Sequence, residues 1–305
     1  MANEKRKHHF VPQFYLKRWG NDGGLLWRFQ RANGRSAKPK QKHYASILYE
    51  EHLYTVRGRE PGDVFLAEDE VFQEIDSAAA PALEELLATK NISSENRRDA
   101  LHRFMYTLQV RNPRVIQGLM NESPALERET TEQLESWLGP PILNRPNPSE
   151  ITDGYNELGR FLAVGIAKSD FTYRDYFNVP WCVRTLPDRL SLMTSDFPFA
   201  AMPDFDHPST VFVFPLSPRA CFLGFKDQRS ARAFTDIDDK RFCDLINVLT
   251  VARAESVYAV NSNSEGVIYS LLGSWESDKA RFRVARDAVW RDGVRFEDLD
   301  AILPT

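Results

Sequence analysis

Apolar residues recur at intervals of three and four between residues 67 and 90, and this pattern predicts an amphipathic helix. A second helix is predicted from Ser94, a suitable N-cap, to Arg111, because Pro113 prevents its continuation. Weaker helical patterns follow as far as residue 168. The apolar positions of the two main helices are Val71, Phe72, Ile75, Ala78, Ala79, Ala82, Leu83 and Leu86, then Leu101, Phe104, Met105 and Leu108.

The first sixty residues follow a different pattern. Residues 12–19 predict a short helix that begins with a proline, and Gly20 suits the left-handed position that often ends helices. Asn33-Gly34 predicts a tight hairpin turn after a strand at residues 25–31. A further strand is predicted at residues 52–56. We therefore expect a small β-rich unit behind one short helix.

After residue 170, short apolar runs separated by Pro and Asp predict antiparallel strands. These strands cover residues 181–186, 190–194, 211–214, 220–225 and 257–260. Helices are predicted at residues 237–253, capped by Thr235 or Asp236, and at 264–273. The expected fold class is α+β in a single domain, residues 1–305. Its subregions are a β-rich unit (1–60), a helical bundle (61–170) and C-terminal antiparallel strands with helices (171–305).

The chain has 305 residues, of which 42% are hydrophobic and 27% charged, values typical of a globular protein with a sizeable core. No run approaches the roughly 20 apolar residues that a membrane-spanning helix requires, and the charged N-terminus lacks the apolar segment of a secretory signal. The chain has an odd number of cysteines and no CxxC motif, which argues against a disulfide framework. Each of them (Cys182, Cys221 and Cys243) lies in an apolar run and is expected to be buried as a small hydrophobic residue. We therefore expect a cytoplasmic protein without membrane association. Its aromatic residues are compatible with a homo-oligomer, which nothing in the sequence specifies.

Charge is distributed unevenly along the chain, whose formal net charge is −4. Residues 1–59 contain thirteen Lys or Arg against four Asp or Glu, and the other 246 residues contain 26 against 39. This asymmetry predicts a basic N-terminal surface, which would either attract nucleic acid or dock onto the acidic remainder of the chain. Both interpretations remain open.

His8 and His9 are the first candidate functional residues, because imidazole titrates near neutral pH and binds divalent metals through its neutral nitrogen. In a regular strand the two side chains point to opposite faces, so only one of them can enter a given site. That one would act as general base or metal ligand, and its neighbour would be structural or face a phosphate. The alternative is a purely structural pair.

Acidic residues crowd the start of the helix predicted at residues 67–90. Glu70 and Glu74 are four positions apart and share a helix face, where they could ligate a divalent cation together with a histidine from elsewhere. The helix dipole alone also favours acidic residues in a first turn, so a structural explanation suffices for most of them.

Two further polar groups are candidates for contacting a substrate. At the end of the second helix, Arg111 and Arg114 bracket Pro113, and an arginine there could hold a phosphate that Gln109 orients. We assign this role to Arg111, although the boundary between core and solvent produces the same pattern. Ser195 and Asp196 follow a predicted strand and precede Pro198. This is a common position for a catalytic or ligating carboxylate, and equally for a local turn.

Residues 7–19, KHHFVPQFYLKRW, resemble the opening signature of a bacterial family, the domain of unknown function number 4238. The resemblance continues through QVRNPR (109–114), SDFP (195–198) and PLSP (215–218), and covers roughly residues 5 to 260. It implies a shared site rather than a reaction. The residues that it groups into one constellation are His8, His9, Pro12, Tyr15, Arg111, Ser195 and Asp196.

The sequence lacks GxGxxG, Walker, GxSxG and HExxH motifs, which argues against dinucleotide enzymes, NTPases, common esterases and zincin proteases. Our leading hypothesis is a metal-dependent phosphodiesterase or nuclease, in phage defence or stress response, that uses Mg²⁺, Mn²⁺ or Zn²⁺. The expected residues are His8, His9 and Asp196 for catalysis, the same three with Glu70 and Glu74 for the metal, and Tyr15, Lys17, Gln109, Arg111 and Ser195 for substrate. The alternative is a non-enzymatic module that binds nucleic acid or protein, in which the histidine pair is structural.

Overall fold

The computed structural model describes residues 7–32, 35–57, 64–66, 71–118, 167, 177–202, 205, 207–263 and 265–274. Predictions that fall on other residues lie outside this part of the chain. They include the helical patterns beyond residue 118, the two turn residues at 33–34, and Glu70.

Helices account for much of the described chain. The helices are α1 (Gln13–Leu16), continued by a 3₁₀ turn (Lys17–Trp19), α2 (Gln73–Thr89), α3 (Glu95–Val110), α4 (Gln228–Thr235), α5 (Asp239–Ala252) and α6 (Glu265–Leu271). The predicted N-cap of α3 is confirmed, since the Ser94 hydroxyl accepts a hydrogen bond from the N–H of Arg97. The cap of α5 is Asp238, so the prediction of Thr235 or Asp236 was wrong.

All of the described strand pairs are antiparallel, as predicted. The N-terminal strands are β1 (Lys7–His9), β2 (Leu25–Ala32), β3 (Arg35–Ser36), β4 (Lys40–His43), β5 (Tyr49–Glu51), β6 (Thr55–Arg57) and β7 (Val64–Leu66). The later strands are β8 (Trp181–Thr185), β9 (Thr194–Ser195), β10 (Ala200–Met202), β11 (Val211–Ser217), β12 (Ala220–Phe225) and β13 (Ser256–Ala259). The fold is therefore α+β.

Two sheets organise these strands. The first has the order β10-β11-β12-β8. Strands β10, β11 and β12 follow one another as hairpins, and β8, which precedes them in the sequence, pairs with the free edge of β12. In the second, β2 has β3 and β4 on one edge and β13 on the other, and β9 pairs with the far edge of β13. This sheet joins the two ends of the described chain, because Phe29 lies opposite Val257, which in turn lies opposite Ser195.

The N-terminal segment is anchored in the core by α1. Tyr15, Leu16 and Trp19 are fully buried. The hydroxyl of Tyr15 donates a 2.8 Å hydrogen bond to the carbonyl of Pro215 and lies 2.7 Å from Oγ1 of Thr194. Because Pro215 belongs to β11 and Thr194 to β9, one buried phenol connects the first helix to both sheets. Burial raises the pKa of this phenol far above its usual range.

The turn after α1 differs from the prediction. Gly20 has an extended backbone (φ −84°), so its expected left-handed conformation was wrong. The left-handed residue is Gly24 (φ +72°), where a Cβ atom would lie 2.7 Å from Nε2 of His43. Gly20 is required for a different reason, because a Cβ there would lie 2.9 Å from the carbonyl carbon of Gly24.

Other predicted elements changed in extent. The strand predicted at residues 52–56 is interrupted, since His52 has a left-handed backbone (φ +57°) between β5 and β6. Of the strand predicted at 190–194, only Thr194 lies in a strand, the two-residue β9. None of the helices in the described residues is long and apolar enough to cross a membrane.

Candidate functional site: a cleft lined by two arginines

A cleft of about 480 Å³ opens where three loops meet. Its lining residues are Arg114, Val115, Phe197, Ala252, Arg253, Glu255 and Gly273. They come from the helical segment at 113–118, the turn that follows β9, the connection between α5 and β13, and the residues after α6. The pairing of β13 with β9 brings the second and third of these together.

Asn112 shapes the first wall of this cleft. Its Oδ1 accepts a 2.9 Å hydrogen bond from the N–H of Arg114, and its carbonyl accepts from the N–H groups of Val115 and Ile116. Asn112 is therefore the N-cap of a helical turn in which Pro113 holds the first position, a favoured combination. Pro113 ends α3 as predicted, and the dipeptide Asn112-Pro113 also starts the next helical segment.

Asp196 contacts two residues of the lining, Arg114 and Glu255, and 8% of its side chain is exposed. Its carboxylate accepts hydrogen bonds from the N–H of Glu255, at 3.2 Å, and lies 3.9 Å from a guanidinium nitrogen of Arg114. Burial raises the pKa of this carboxyl from 3.8 to about 6, although Arg114 and the backbone N–H groups of residues 255 and 256 oppose the shift. Asp196 can therefore exchange a proton near neutral pH.

The two arginines of the cleft share the ring of Phe197. The guanidinium carbon of Arg114 is 5.6 Å from the ring centroid and that of Arg253 is 4.9 Å from it. Arg114 also donates to the carbonyl of Arg253 at 3.0 Å and lies 3.6 Å from the carboxylate of Glu255. Burial and the neighbouring Arg114 lower the pKa of Arg253 to about 10, so Arg253 remains a cation at neutral pH.

His8 is buried and serves a structural contact. The N–H of Tyr54 donates a 3.0 Å hydrogen bond to Nδ1 of His8, and the two rings stack with centroids 5.6 Å apart. Accepting this bond requires an unprotonated Nδ1, so the geometry assigns the proton to Nε2. The predicted opposite orientation of the pair is confirmed, because His8 is 1% exposed while His9 is only half-buried.

His9 lies on the other face of the ribbon β1–β5. Its Nε2 is 3.3 Å from Nε2 of Gln13, and its ring packs on Tyr49. Burial lowers the pKa of His9, and a hydrogen bond to the backbone of Ala45 opposes the shift. Each of the two histidines therefore contacts other residues of the protein on its own face of the ribbon. Within the described part of the chain, neither ring contacts Asp196.

Arg111 is fully buried and makes a bidentate ion pair. Its two terminal nitrogens donate to the carboxylate of Asp76 at 2.6 and 3.0 Å, and its guanidinium lies 4.6 Å from the ring centroid of Phe72. The side chain that was expected to clamp a phosphate thus fastens α3 to α2. Arg114, three residues later, is the arginine of this motif that faces the cleft.

The remaining predicted substrate residues have structural contacts or point to solvent. Gln109 donates a 2.7 Å hydrogen bond to the carbonyl of Phe199, and the hydroxyl of Ser195 accepts from the N–H of Phe197. Both contacts fix the turn that carries Phe197. Tyr15 is buried as described above, and Lys17 is exposed on the 3₁₀ turn.

The divalent metal remains a prediction. Among the residues that the structure describes, no three His, Cys, Asp or Glu side chains are grouped so that they could hold a metal ion. Glu74 is exposed in the first turn of α2, and Glu70 lies outside the described residues.

Three aromatic or charged residues of the cleft lining were missed from the sequence. Phe197 stands between the noted Asp196 and Pro198, but an apolar residue in a turn carries no chemical signal. Arg253 and Glu255 follow α5, where a basic residue at a helix end is explained by the dipole. Their role follows from the sheet pairing, which no local pattern reveals.

Comparison with known proteins is informative at the level of the family only. The family model described as Protein of unknown function (DUF4238) matches residues 7–265. No curated protein and no solved structure matches the chain. The family match runs from the first residue of β1 to the first residue of α6, and it includes all of the cleft lining except Gly273. The chain therefore belongs to the DUF4238 family.

Proposed function

We propose that this protein hydrolyses phosphodiester bonds of nucleic acid in the cleft between Arg114 and Arg253. The observation that carries the proposal is the position of Asp196, a buried carboxyl with a pKa of about 6. It lies 3.9 Å from Arg114 and directly precedes Phe197, the ring that Arg114 and Arg253 share. Such a carboxyl destabilises the folded chain at neutral pH, and groups of this kind cluster at functional sites.

The chemistry follows from the charges. Arg114 and Arg253 bind the non-bridging oxygens of a phosphate and stabilise the charge that builds up on them during attack. Asp196, ionised at pH 7, accepts a proton as a water oxygen forms its bond to phosphorus. The bond from phosphorus to the leaving oxygen then breaks, and that oxygen takes a proton from solvent.

Basic residues on the second sheet support a polyanionic substrate. Arg28 on β2 lies directly opposite Lys40 on β4, and Lys42 lies on the same face of that strand two residues further on. Lys40 is exposed and Arg28 half-buried. A row of cations on one sheet face attracts a phosphate backbone in a salt-dependent manner.

The test is a cleavage assay with single-stranded and double-stranded DNA and RNA, with Mg²⁺, Mn²⁺ or Zn²⁺ added or with EDTA. We expect turnover that Asp196→Asn and Arg114→Gln each reduce by about two orders of magnitude, the usual effect of losing an acid–base or charge-stabilising group. The EDTA arm decides whether the divalent metal is required.

The matched controls are Asp188→Asn and Arg219→Gln, which make the same chemical changes in an exposed Arg–Asp pair. These variants should retain wild-type turnover. If wild-type protein cleaves none of the substrates under any metal condition, or if the control variants lose as much activity as the cleft variants, the proposal is wrong.

The contacts of the histidine pair favour a second candidate, a module that binds nucleic acid without turnover. His8 accepts from the backbone of Tyr54, and His9 is hydrogen-bonded to the backbone of Ala45, as expected for structural histidines. In this case the same assay would show no cleavage. Binding of labelled strands would weaken steeply with salt and would weaken further in Arg114→Gln.

A further inference from the structure

We infer that Asn112 is a positioning residue that fixes Asp196 and Arg114 relative to each other in the cleft. Its amide group makes one hydrogen bond to each side of the pair. Nδ2 donates to the carbonyl oxygen of Asp196 at 2.8 Å, and Oδ1 accepts from the N–H of Arg114 at 2.9 Å. This inference rests on the proposed function of the cleft.

Capping explains only half of this arrangement. An N-cap needs one acceptor, and Oδ1 supplies it to the N–H of Arg114. Serine, threonine and aspartate cap helices as well as asparagine does, yet none of them has the second, donating group that reaches Asp196. The bond from Nδ2 crosses 84 residues of sequence and joins the helical segment at 113–118 to the turn after β9.

The burial of Asn112 makes this contact effective. The residue is 2% exposed, so water does not compete for either hydrogen bond. The 3.9 Å separation between Arg114 and the carboxylate of Asp196 depends on two chain segments that pair nowhere else in a described sheet. The bond from Nδ2 ties this turn directly to the segment that carries Arg114, and its loss lets the carboxylate shift relative to the arginine although other bonds still hold the turn to β13 and α3.

Two substitutions separate the hydrogen bond to Asp196 from the helix-capping bond. Asn112→Ser retains a good N-cap for the helical segment and loses the donor to Asp196, whereas Asn112→Leu loses both bonds. The matched control is Asn247→Leu. Asn247 bridges two backbone groups in the same way, accepting from the N–H of Met193 at 2.8 Å and donating to the carbonyl of Ser191 at 3.0 Å, on α5.

The decisive measurement is the titration of Asp196 by carbon NMR of labelled carboxyl groups, with Asp196→Asn used for assignment. Arg114 lowers the pKa of Asp196, so its displacement should raise that pKa by about one unit in both Asn112 variants. Asn247→Leu should leave the titration unchanged, although it removes a comparable pair of bonds. This reading needs no substrate, and it stands even if the wild-type chain has no turnover.

Turnover supplies the second measurement where the wild type is active. Asn112→Ser should lower kcat by about tenfold or more with a smaller change in KM, because misplacement of the acid–base group affects the transition state more than binding. The inference is overturned if both Asn112 variants fold and titrate Asp196 at the wild-type pKa, or if Asn247→Leu shifts it equally.

Discussion

The hydroxyl of Tyr54 donates a 2.8 Å hydrogen bond to the carbonyl oxygen of Arg111, and the backbone N–H of the same tyrosine donates to Nδ1 of His8. One residue thus links the ribbon β1–β5 to the end of α3. The chain of contacts continues through Asn112 to Asp196. Hydrogen bonds therefore join the family motifs at 7–19, 109–114 and 195–198. The motif that contains the histidines is the one farthest along this series of contacts from the cleft.

The first prediction concerns this link. Tyr54→Phe removes the hydrogen bond to the buried carbonyl of Arg111 while it keeps the ring that stacks on His8. We expect a loss of about 1–2 kcal/mol in the free energy of unfolding, measured by urea denaturation. The comparison is Tyr49→Phe, where a half-buried ring packs on His9 and the loss should be smaller. Equal losses would contradict the supporting role of Tyr54.

The second prediction concerns the buried ion pair. Arg111→Lys keeps the charge but loses the bidentate geometry with Asp76 and the planar contact with Phe72. We expect the free energy of unfolding to fall by about 2–3 kcal/mol. Arg97→Lys alters a half-exposed pair with Glu85 and should change stability by less than about 0.5 kcal/mol. An Arg111→Lys protein as stable as the control would mean that the pair contributes only charge.

The third prediction concerns the pH dependence of stability. Because the folded pKa of Asp196 is raised from 3.8 to about 6, the unfolded chain releases this proton first as the pH rises. The carboxyl therefore lowers stability progressively between pH 4 and pH 6, by at most about 3 kcal/mol, and the cost persists above pH 6. Asp196→Asn removes it.

We expect Asp196→Asn to be more stable than wild type at pH 8 and to lose that advantage at pH 4, in urea denaturation at a series of pH values. A gain in stability together with a loss of turnover is the pattern of a functional carboxyl. Asp188→Asn makes the same change at an exposed carboxylate and should alter stability far less than Asp196→Asn at either pH. A destabilised Asp196→Asn at pH 8 would show instead that Asp196 is mainly structural.

Local patterns predicted the elements of this fold well. The apolar periodicity of α2 and α3, the Ser94 cap and the hairpin between β2 and β3 all depend on contacts within a few residues. After residue 170, short apolar runs separated by turn residues were likewise enough to predict antiparallel strands, because consecutive strands joined by short turns pair with each other. Gly20 shows the limit, since its backbone is set by the close approach of Gly24 rather than by the end of a helix.

The candidate site was predicted only in part. Asp196 was identified because a polar residue after a strand is chemically conspicuous, but Arg253, which packs on the neighbouring Phe197, lies in a separate part of the sequence. The two meet because β13 pairs with β9, a contact between segments about sixty residues apart. The arginine of QVRNPR that faces the cleft was likewise ambiguous, since burial of Arg111 depends on Asp76 in another helix.

The fourth prediction concerns His102 on α3, whose ring stacks on Phe177 at 4.9 Å. The ring is 7% exposed, and its Nε2 has no hydrogen-bond partner among the residues that the structure describes. Burial lowers the pKa of His102 from 6.5 to about 4, with a contribution from Arg98. The unfolded chain therefore binds this proton first as the pH falls, and stability is lost progressively below pH 6.5.

His102→Phe keeps an aromatic ring against Phe177 and removes the titration. We expect unchanged or slightly higher stability at pH 7.5 and a gain of about 2 kcal/mol over the wild type at pH 5, measured by urea denaturation at both values. Asp196 acts in the opposite direction over the same pH range. The double variant with Asp196→Asn should therefore lack both contributions, and its change in pH slope relative to the wild type should be the sum of the changes in the two single variants. A His102→Phe protein that loses stability towards pH 5 as steeply as the wild type would assign the acid sensitivity to another group.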